Sequence, residues 1–224
     1  MRLIPILAAG LVASAAQAET RDFQVRPFQS LESAGPADVI ITTGGALSVR
    51  GEGDAAALNA LELRSDGERL VVDRRPGVRW PAQGRATLYV TMPRLVAANA
   101  SGSGSVRVDR VSGPSFAGTV DGSGDLAIDD LRVTAAVLVS SGSGNVKASG
   151  DVEVLTADAS GSGDVAVASL RARAATITAT GSGNVAAWAF EEANVRSSGS
   201  GDAVVGGGGR CRLRATGSGA ARCG

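Results

Sequence analysis

The sequence predicts an all-β protein, a parallel β-helix (solenoid) with coils of about 18–20 residues. Three observations predict it. A Gly-Ser-Gly unit recurs seven times, with first glycines at Gly102, Gly122, Gly142, Gly161, Gly181, Gly199 and Gly217. Apolar or small residues alternate with polar ones on both sides of each unit. Two Trp, one Tyr and four Phe are all the aromatic residues in a chain dominated by Ala, Val, Leu and Gly, so the core is narrow.

A sustained period near 20 residues means one supersecondary unit stacked on its neighbours. Leucine-rich repeats have that length, but their Leu spacing and Asn are missing. Helical repeats need longer periods and do not tolerate paired glycines in every unit. Alignment on the glycines exposes inward columns. Four residues before each first glycine stand Ala98, Gly118, Leu138, Ala157, Ile177, Val195 and Leu213. Four residues after it stand Val106, Leu126, Val146, Val165, Val185, Ala203 and Ala221. A weaker cluster, Val111, Leu131, Val152, Leu170 and Phe190, suggests a third side to each coil. The second glycines, Gly104, Gly124, Gly144, Gly163, Gly183, Gly201 and Gly219, complete tight corners. Glycine on both sides of a serine admits positive φ without Cβ strain and lets stacked backbones pair closely.

The residue after each corner runs Ser105, Asp125, Asn145, Asp164, Asn184, Asp202, Ala220. Asp and Asn alternate from Asp125 to Asp202. Identical carboxylates stacked one coil apart repel, and alternation gives each an amide donor as neighbour.

The chain divides into three segments. Residues 1–18 read as a signal peptide: Arg2 supplies the positive charge, Leu3 to Ala13 the apolar run, and Ala16-Gln17-Ala18 the cleavage site. No later segment is long and apolar enough for a transmembrane helix in the mature chain. Residues 19–97 are strand-rich and read as less regular N-terminal coils of the same solenoid. Asp54 is placed to cap a short helical turn over 55–61, and residues 76–83 read as a loop. Residues 98–224 are the Gly-Ser-Gly repeat β-helix, closed by a disulfide-pinned C-terminal cap. The two cysteines, Cys211 and Cys223, flank Gly217 symmetrically and are expected to pair in an oxidising compartment.

Charge and composition exclude several functions. Formal charge is balanced, with 22 basic and 22 acidic residues, which argues against nucleic acid as a partner. Histidine is absent, which removes Ser-His-Asp and Cys-His catalysis and histidine metal sites. No P-loop, dinucleotide fingerprint or nucleophile elbow occurs, so the glycines are architectural and no cofactor is implied.

The order of segments resembles a known bacterial family, the "Putative auto-transporter adhesin, head GIN domain" proteins. The residues that carry the resemblance begin with Ala37-Asp-Val-Ile-Ile and Leu47-Ser-Val-Arg-Gly-Glu-Gly-Asp. Leu88-Tyr-Val-Thr-Met-Pro-Arg-Leu and Ser101-Gly-Ser-Gly-Ser-Val with its repeats complete the match over about 22–224. The resemblance implies a right-handed helix and an exported, adhesin-like protein, periplasmic, associated with the outer surface, or secreted. No barrel-length segment follows Gly224, so export through a pore of its own is not expected.

Each candidate site competes with a structural reading. Gly-Ser-Gly-Asp is superficially like calcium-binding repeats, but those have a period of about nine residues with an aspartate in each unit. Asp109 and Asp129 share a repeat position beside Asp121, Asp125 and Asp130, an arrangement from which carboxylates can cleave polysaccharide. Trp80 and Trp188 stand alone. Residues 109–192 carry 5 basic and 11 acidic residues, whereas 193–224 carry 5 basic and 1 acidic. In that basic tail, Arg212, Arg214 and Arg222 are candidate anion contacts or an edge cap against end-to-end pairing. The function expected is an exported, non-enzymatic binding or structural module contacting an envelope component, glycan or partner protein. The alternative is a polysaccharide-active enzyme using the acidic cluster on the coils of residues 109–130.

Overall fold

The structure, a computed structural model, describes residues 18–224, so the predicted leader lies outside the described residues except for Ala18. The N-terminal half contributes β1 (Glu19–Phe23), β2 (Ser30–Ser33), β3 (Asp38–Thr43), β4 (Ser48–Gly53), α1 (Ala55–Ala60) and β5 (Leu61–Ser65). It continues with β6 (Arg69–Arg74), β7 (Ala86–Met92) and β8 (Ala97–Ala100). The repeats then give β9 (Val106–Val120), β10 (Leu126–Ser140), β11 (Val146–Ala159), β12 (Val165–Ala179) and β13 (Val185–Ser197). The chain ends in β14 (Ala203–Gly206), β15 (Arg210–Ala215) and β16 (Ala221–Cys223). Together they form a β-solenoid of about six turns.

Each of the first five Gly-Ser-Gly units forms a short corner followed by one long strand, β9 to β13, whereas the sixth is followed by the short strands β14 and β15 and the seventh by β16. The strands β9 to β13 stack in parallel, each on the next, and β14, β15 and β16 continue the stack. The period-2 alternation of the sequence becomes alternation of burial: in β10, Leu126, Ile128, Leu131, Val133, Ala136, Leu138 and Ser140 point inward. Core columns therefore run along the axis, Val106 through Leu126, Val146, Val165 and Val185 to Ala203.

The corners do not work as the dihedral argument predicted. Positive φ occurs at Gly44, Gly53, Gly67, Gly77, Gly113, Gly150, Gly207 and Gly208, and none of these belongs to a Gly-Ser-Gly unit. What these units require is space. A Cβ on Gly142 would lie less than 3 Å from the carbonyl oxygen of Gly122, and one on Gly144 as close to that of Gly124. The same clash recurs at every rung from Gly102 to Gly219. Close approach lets the corner backbones pair: Ser143 N–H and Gly144 N–H both donate to the Gly122 carbonyl, at 3.0 and 3.1 Å.

The N-terminal half joins the solenoid, but not in chain order. The rung made by β2 and β3 lies directly under β8 and β9, while β6 and β7 lie on its other side. Antiparallel β1, β4 and β5 close that end. Residues 34–37 form a corner without the Gly-Ser-Gly signature, onto which Ser101 N–H and Gly102 N–H stack by donating to the Ser33 carbonyl. Asp54 does stand at the N-terminus of α1 but makes no side-chain cap. Its Oδ2 instead accepts from Arg85 N–H at 2.7 Å, tying the helix to the strand that follows the 76–83 loop.

Two residues of the predicted inward columns are exposed. Phe190 is 46% exposed, because this coil is two residues shorter and Ala189 takes the place opposite Ala172. Leu213 is 41% exposed because no coil covers β15. Length differences between coils are absorbed away from the corners, at register shifts such as Ile128/Leu131 and Val167/Arg171.

Candidate functional site

The side chains that follow the corners form one continuous hydrogen-bonded column. Asp125 Oδ1 accepts from both the N–H and the side-chain amide of Asn145, at 2.8 and 2.9 Å. Asn145 Oδ1 accepts from Asp164 N–H at 2.9 Å, and Asp164 Oδ1 accepts from Asn184 N–H and Nδ2 at 2.7 and 3.0 Å. Asn184 Oδ1 accepts from Asp202 N–H, and Asp202 Oδ1 from Ala220 N–H. The column also runs toward the N-terminus, since Ser105 Oγ accepts from Asp125 N–H and Asp38 Oδ1 from Ser105 N–H. Each side-chain oxygen stands in for a backbone carbonyl at the point where the chain turns too sharply to offer one. Asp38 was not legible as a member, although it follows Ser33 at the spacing by which Ser105 follows Ala100.

The acidic cluster is placed on neighbouring rungs, and its members are occupied separately. Asp109 Oδ1 accepts from Thr43 N–H at 3.0 Å and so caps β3. Asp129 Oδ2 accepts from Arg107 Nε and Nη2 at 3.1 and 2.9 Å. Asp130 pairs with Arg132 at 2.8 Å and with Arg110 at 3.6 Å. Asp121 accepts from Ser141 Oγ across one rung. Among the described residues, no group of three or more His, Cys, Asp or Glu is arranged to hold a metal ion.

A second charge column, invisible in the glycine alignment, lies on the third side. Arg132, Asp151 and Arg171 succeed one another in register, and Arg173 pairs with Glu191 at 3.0 Å. The hydrogen bond that Arg132 donates to Asp130 raises its pKa above the ordinary value, as the bond to Glu191 does for Arg173. Where the Asp/Asn column alternates a carboxylate with a neutral amide, Arg132, Asp151 and Arg171 alternate in sign along the axis.

The side that precedes each corner is different. Two of its outward columns are Ala97, Ala117, Val137, Thr156 and Thr176, beside Ser115, Ala135, Val154 and Ala174, and a third runs through Thr119, Val139, Asp158 and Thr178. Over these rungs neither of the first two columns contains a charge, and Val137 and Val154 are each 42% exposed. The face then becomes polar and charged: Asn194 and Arg212 extend the first column, Glu192 and Arg210 the second, and Arg196 and Arg214 the third. There a groove of about 390 Å³ is lined by Thr176, Asn194, Val195, Arg196, Arg212 and Arg214. Arg222 is not part of it, since it stacks on Val204 on the other side of the corner. Arg196 belongs to the group instead.

The two tryptophans differ in environment. Trp80 is partly buried, and its Nε1–H donates to the Gly84 carbonyl at 2.8 Å. Trp188 is 41% exposed and lies over Gly206, where a Cβ would meet its ring. Cys211 and Cys223 form a disulfide that joins β15 to β16, with Cα atoms 6.3 Å apart.

The profile of the family described as "Putative auto-transporter adhesin, head GIN domain" matches residues 27–209. The chain belongs to this family. Three crystal structures show the fold of this GIN-domain chain at low identity. A putative adhesin from Bacteroides fragilis NCTC 9343 superposes with a TM-score of 0.87 at 19% identity, covering 93% of this chain and 98% of that one. A protein titled a putative lipid binding protein, from Parabacteroides distasonis ATCC 8503, gives 0.71 at 17%, covering 92% and 96%. A putative adhesin from the same organism gives 0.71 at 14%, covering 93% and 97%. No curated protein matches the GIN-domain chain. Among its described residues no helix is long and apolar enough to cross a membrane.

Proposed function

We propose that this GIN-domain protein is an exported, non-enzymatic binding module that contacts a component of the bacterial envelope through the flat side preceding its corners. The observation that carries the reading is that side's composition. Two of its three outward columns are uncharged over several rungs and carry Val137 and Val154, with Asp158 the one carboxylate of the third column there, whereas the third side alternates in charge. Contiguous exposed apolar surface on a soluble domain marks contact sites. A solenoid holds such a side rigid, so little ordering cost is incurred on binding. The Cys211–Cys223 disulfide supports export, because disulfides persist in oxidising compartments. The adhesin and lipid-binding names of the structural relatives agree with a binding role.

The test is retention of envelope components and arrayed glycans on the immobilised protein, compared with Val137→Asp and Val154→Asp. Each aspartate places an unpaired charge on the side without touching the core. The proposal expects specific retention by the parent and its loss in both variants, with melting unchanged. A parent that retains nothing, or variants that retain the same component equally well, defeats it.

A further inference from the structure

We propose that the groove at the C-terminal end of this side, built by Arg196, Arg212, Arg214, Asn194 and Thr176, binds an anionic saccharide through its carboxylate or phosphate group. The inference deepens the binding-module reading and rests on it.

The arginines of the groove are an exception to a rule the rest of the solenoid obeys. Like charges on neighbouring strands repel, and here they are separated or bridged wherever they fall together. Aspartates alternate with asparagines from Asp125 to Asp202. Arg132, Asp151 and Arg171 alternate in sign. Asp129, one rung from Asp109, is held by Arg107. Glu62 and Asp73 lie opposite one another, and Arg64 reaches both. Arg196 and Arg214 occupy neighbouring rungs of one column, and neither forms an ion pair among the described residues. Below Arg196 the column offers Thr178, and the first carboxylate, Asp158, comes only at the rung beyond. Arg212, beside Arg214, has Glu192 at 3.6 Å and is 81% exposed.

Charges that discourage end-to-end pairing belong on the terminal strand, and Arg212 and Arg214 lie there, on β15. Arg196 lies on β13, which is paired on both sides. Edge protection does not account for it. A ligand that spans two rungs does, because guanidinium groups about 4.8 Å apart can share one carboxylate or phosphate.

Asn194 and Thr176 supply an amide and a hydroxyl beside the arginines, the groups that satisfy sugar hydroxyls. The groove continues into the uncharged column of Thr176, Thr156 and Val137, so an elongated chain can lie along that column with its charged unit seated between the arginines, two rungs from Asp158 in the neighbouring column.

The experiment is calorimetric titration of the protein with tetragalacturonate, with maltotetraose as the neutral counterpart. Tetragalacturonate binds and maltotetraose does not, and binding weakens as salt rises. Arg196→Ser lowers affinity about tenfold or more, the loss expected for one charge-assisted contact. Arg222→Ser, which removes the same charge on the other side of the corner, leaves affinity within about twofold. Unchanged melting of both variants shows that neither acts through the fold. Equal losses in the two variants mean a diffuse basic end and overturn the proposal. Binding only to phosphatidylglycerol vesicles, with none to the saccharide, overturns it in favour of a membrane surface. Failure to bind tetragalacturonate, with envelope retention still sensitive to Val154→Asp, overturns the anion site and leaves the binding module standing.

Discussion

Replacing Gly163 with alanine tests why the corners are glycine. The added methyl would lie less than 3 Å from the carbonyl carbon and oxygen of Gly144 and from Ser140 Oγ. Two of the three are backbone atoms that cannot swing aside. Relief requires the rungs to part, stretching the bonds from Ser162 N–H and Gly163 N–H to the Gly142 carbonyl, now 3.0 and 3.2 Å. It also threatens the buried bond from Ser140 Oγ–H to the Gly144 carbonyl. Overpacking costs about 1–3 kcal/mol. Weakening two backbone hydrogen bonds adds about 1 kcal/mol each. The smaller entropy of an alanine-containing unfolded chain returns about 0.4–1 kcal/mol. The net is a destabilisation of about 2–4 kcal/mol, or roughly 5–15 °C in melting temperature for a chain of this size. The comparison is Gly208→Ala, where φ is +73° but nothing lies within 4 Å of the added methyl. Only left-handed strain applies there, about 1–2 kcal/mol. Circular dichroism melts rank the two variants, and hydrogen exchange places the damage in the rungs on either side of residue 163. If Gly163→Ala melts within about 2 °C of the parent, or no lower than Gly208→Ala, close rung contact is not what the corners need.

Three further predictions follow from the columns and the termini. Asn145→Asp removes the amide donated to Asp125 and adds a carboxylate about one rung away, costing about 1 kcal/mol in solvent-exposed surroundings. It should melt below Asn145→Ser at low salt, with the gap closing near about 1 M salt; a gap indifferent to salt refutes the alternation argument. Reducing Cys211–Cys223, which closes a loop of 12 residues, should loosen the last coil by about 3 kcal/mol. Exchange protection should then fall over 203–223 and hold in β10; uniform loss along the chain would contradict a local clasp. The Asp66 pKa is lowered below 3.8, first by the bond from Arg69 N–H and then by that from Glu68 N–H. A depressed folded value means that stability is fully present above the unfolded value and lost as pH falls through the folded one. The β5–β6 turn should therefore hold until pH drops below the ordinary carboxylate range, and an NMR midpoint for Asp66 at or above 3.8 would contradict this.

The solenoid was legible because its corners impose a backbone requirement that only glycine meets, and such requirements leave a regular mark. Columns close to the glycines were read correctly, from Val106 to Ala203 and from Leu138 to Val195. Legibility decayed with distance from the corner. The register shifts near Ile128 and Val167 carried Phe190 out of the predicted third cluster and hid the Arg132–Asp151–Arg171 column. The place of residues 30–43 next to the first repeat was not legible for another reason. Their corner at residues 34–37 lacks Gly-Ser-Gly, and parallel pairing of β2 and β3 with strands some sixty residues later has no local sequence mark. Within the basic end, Arg212 and Arg214 were legible from alternation, whereas Arg196 needed the neighbouring rung to be superposed on them.

Because variation in coil length is confined to the side away from the corners, the molecule is a ruler with one fixed edge. Gly150 and Gly207, both at positive φ, lie on the forgiving side, three rungs or about 14 Å apart. Short insertions at those points leave the corner column from Asp38 to Ala220 in phase, so paired probes placed there would ride on a spacing set by backbone pairing alone. The same tolerance lets whole rungs be added or removed between corners, changing the length of the binding side by a fixed step while the two ends keep their own chemistry.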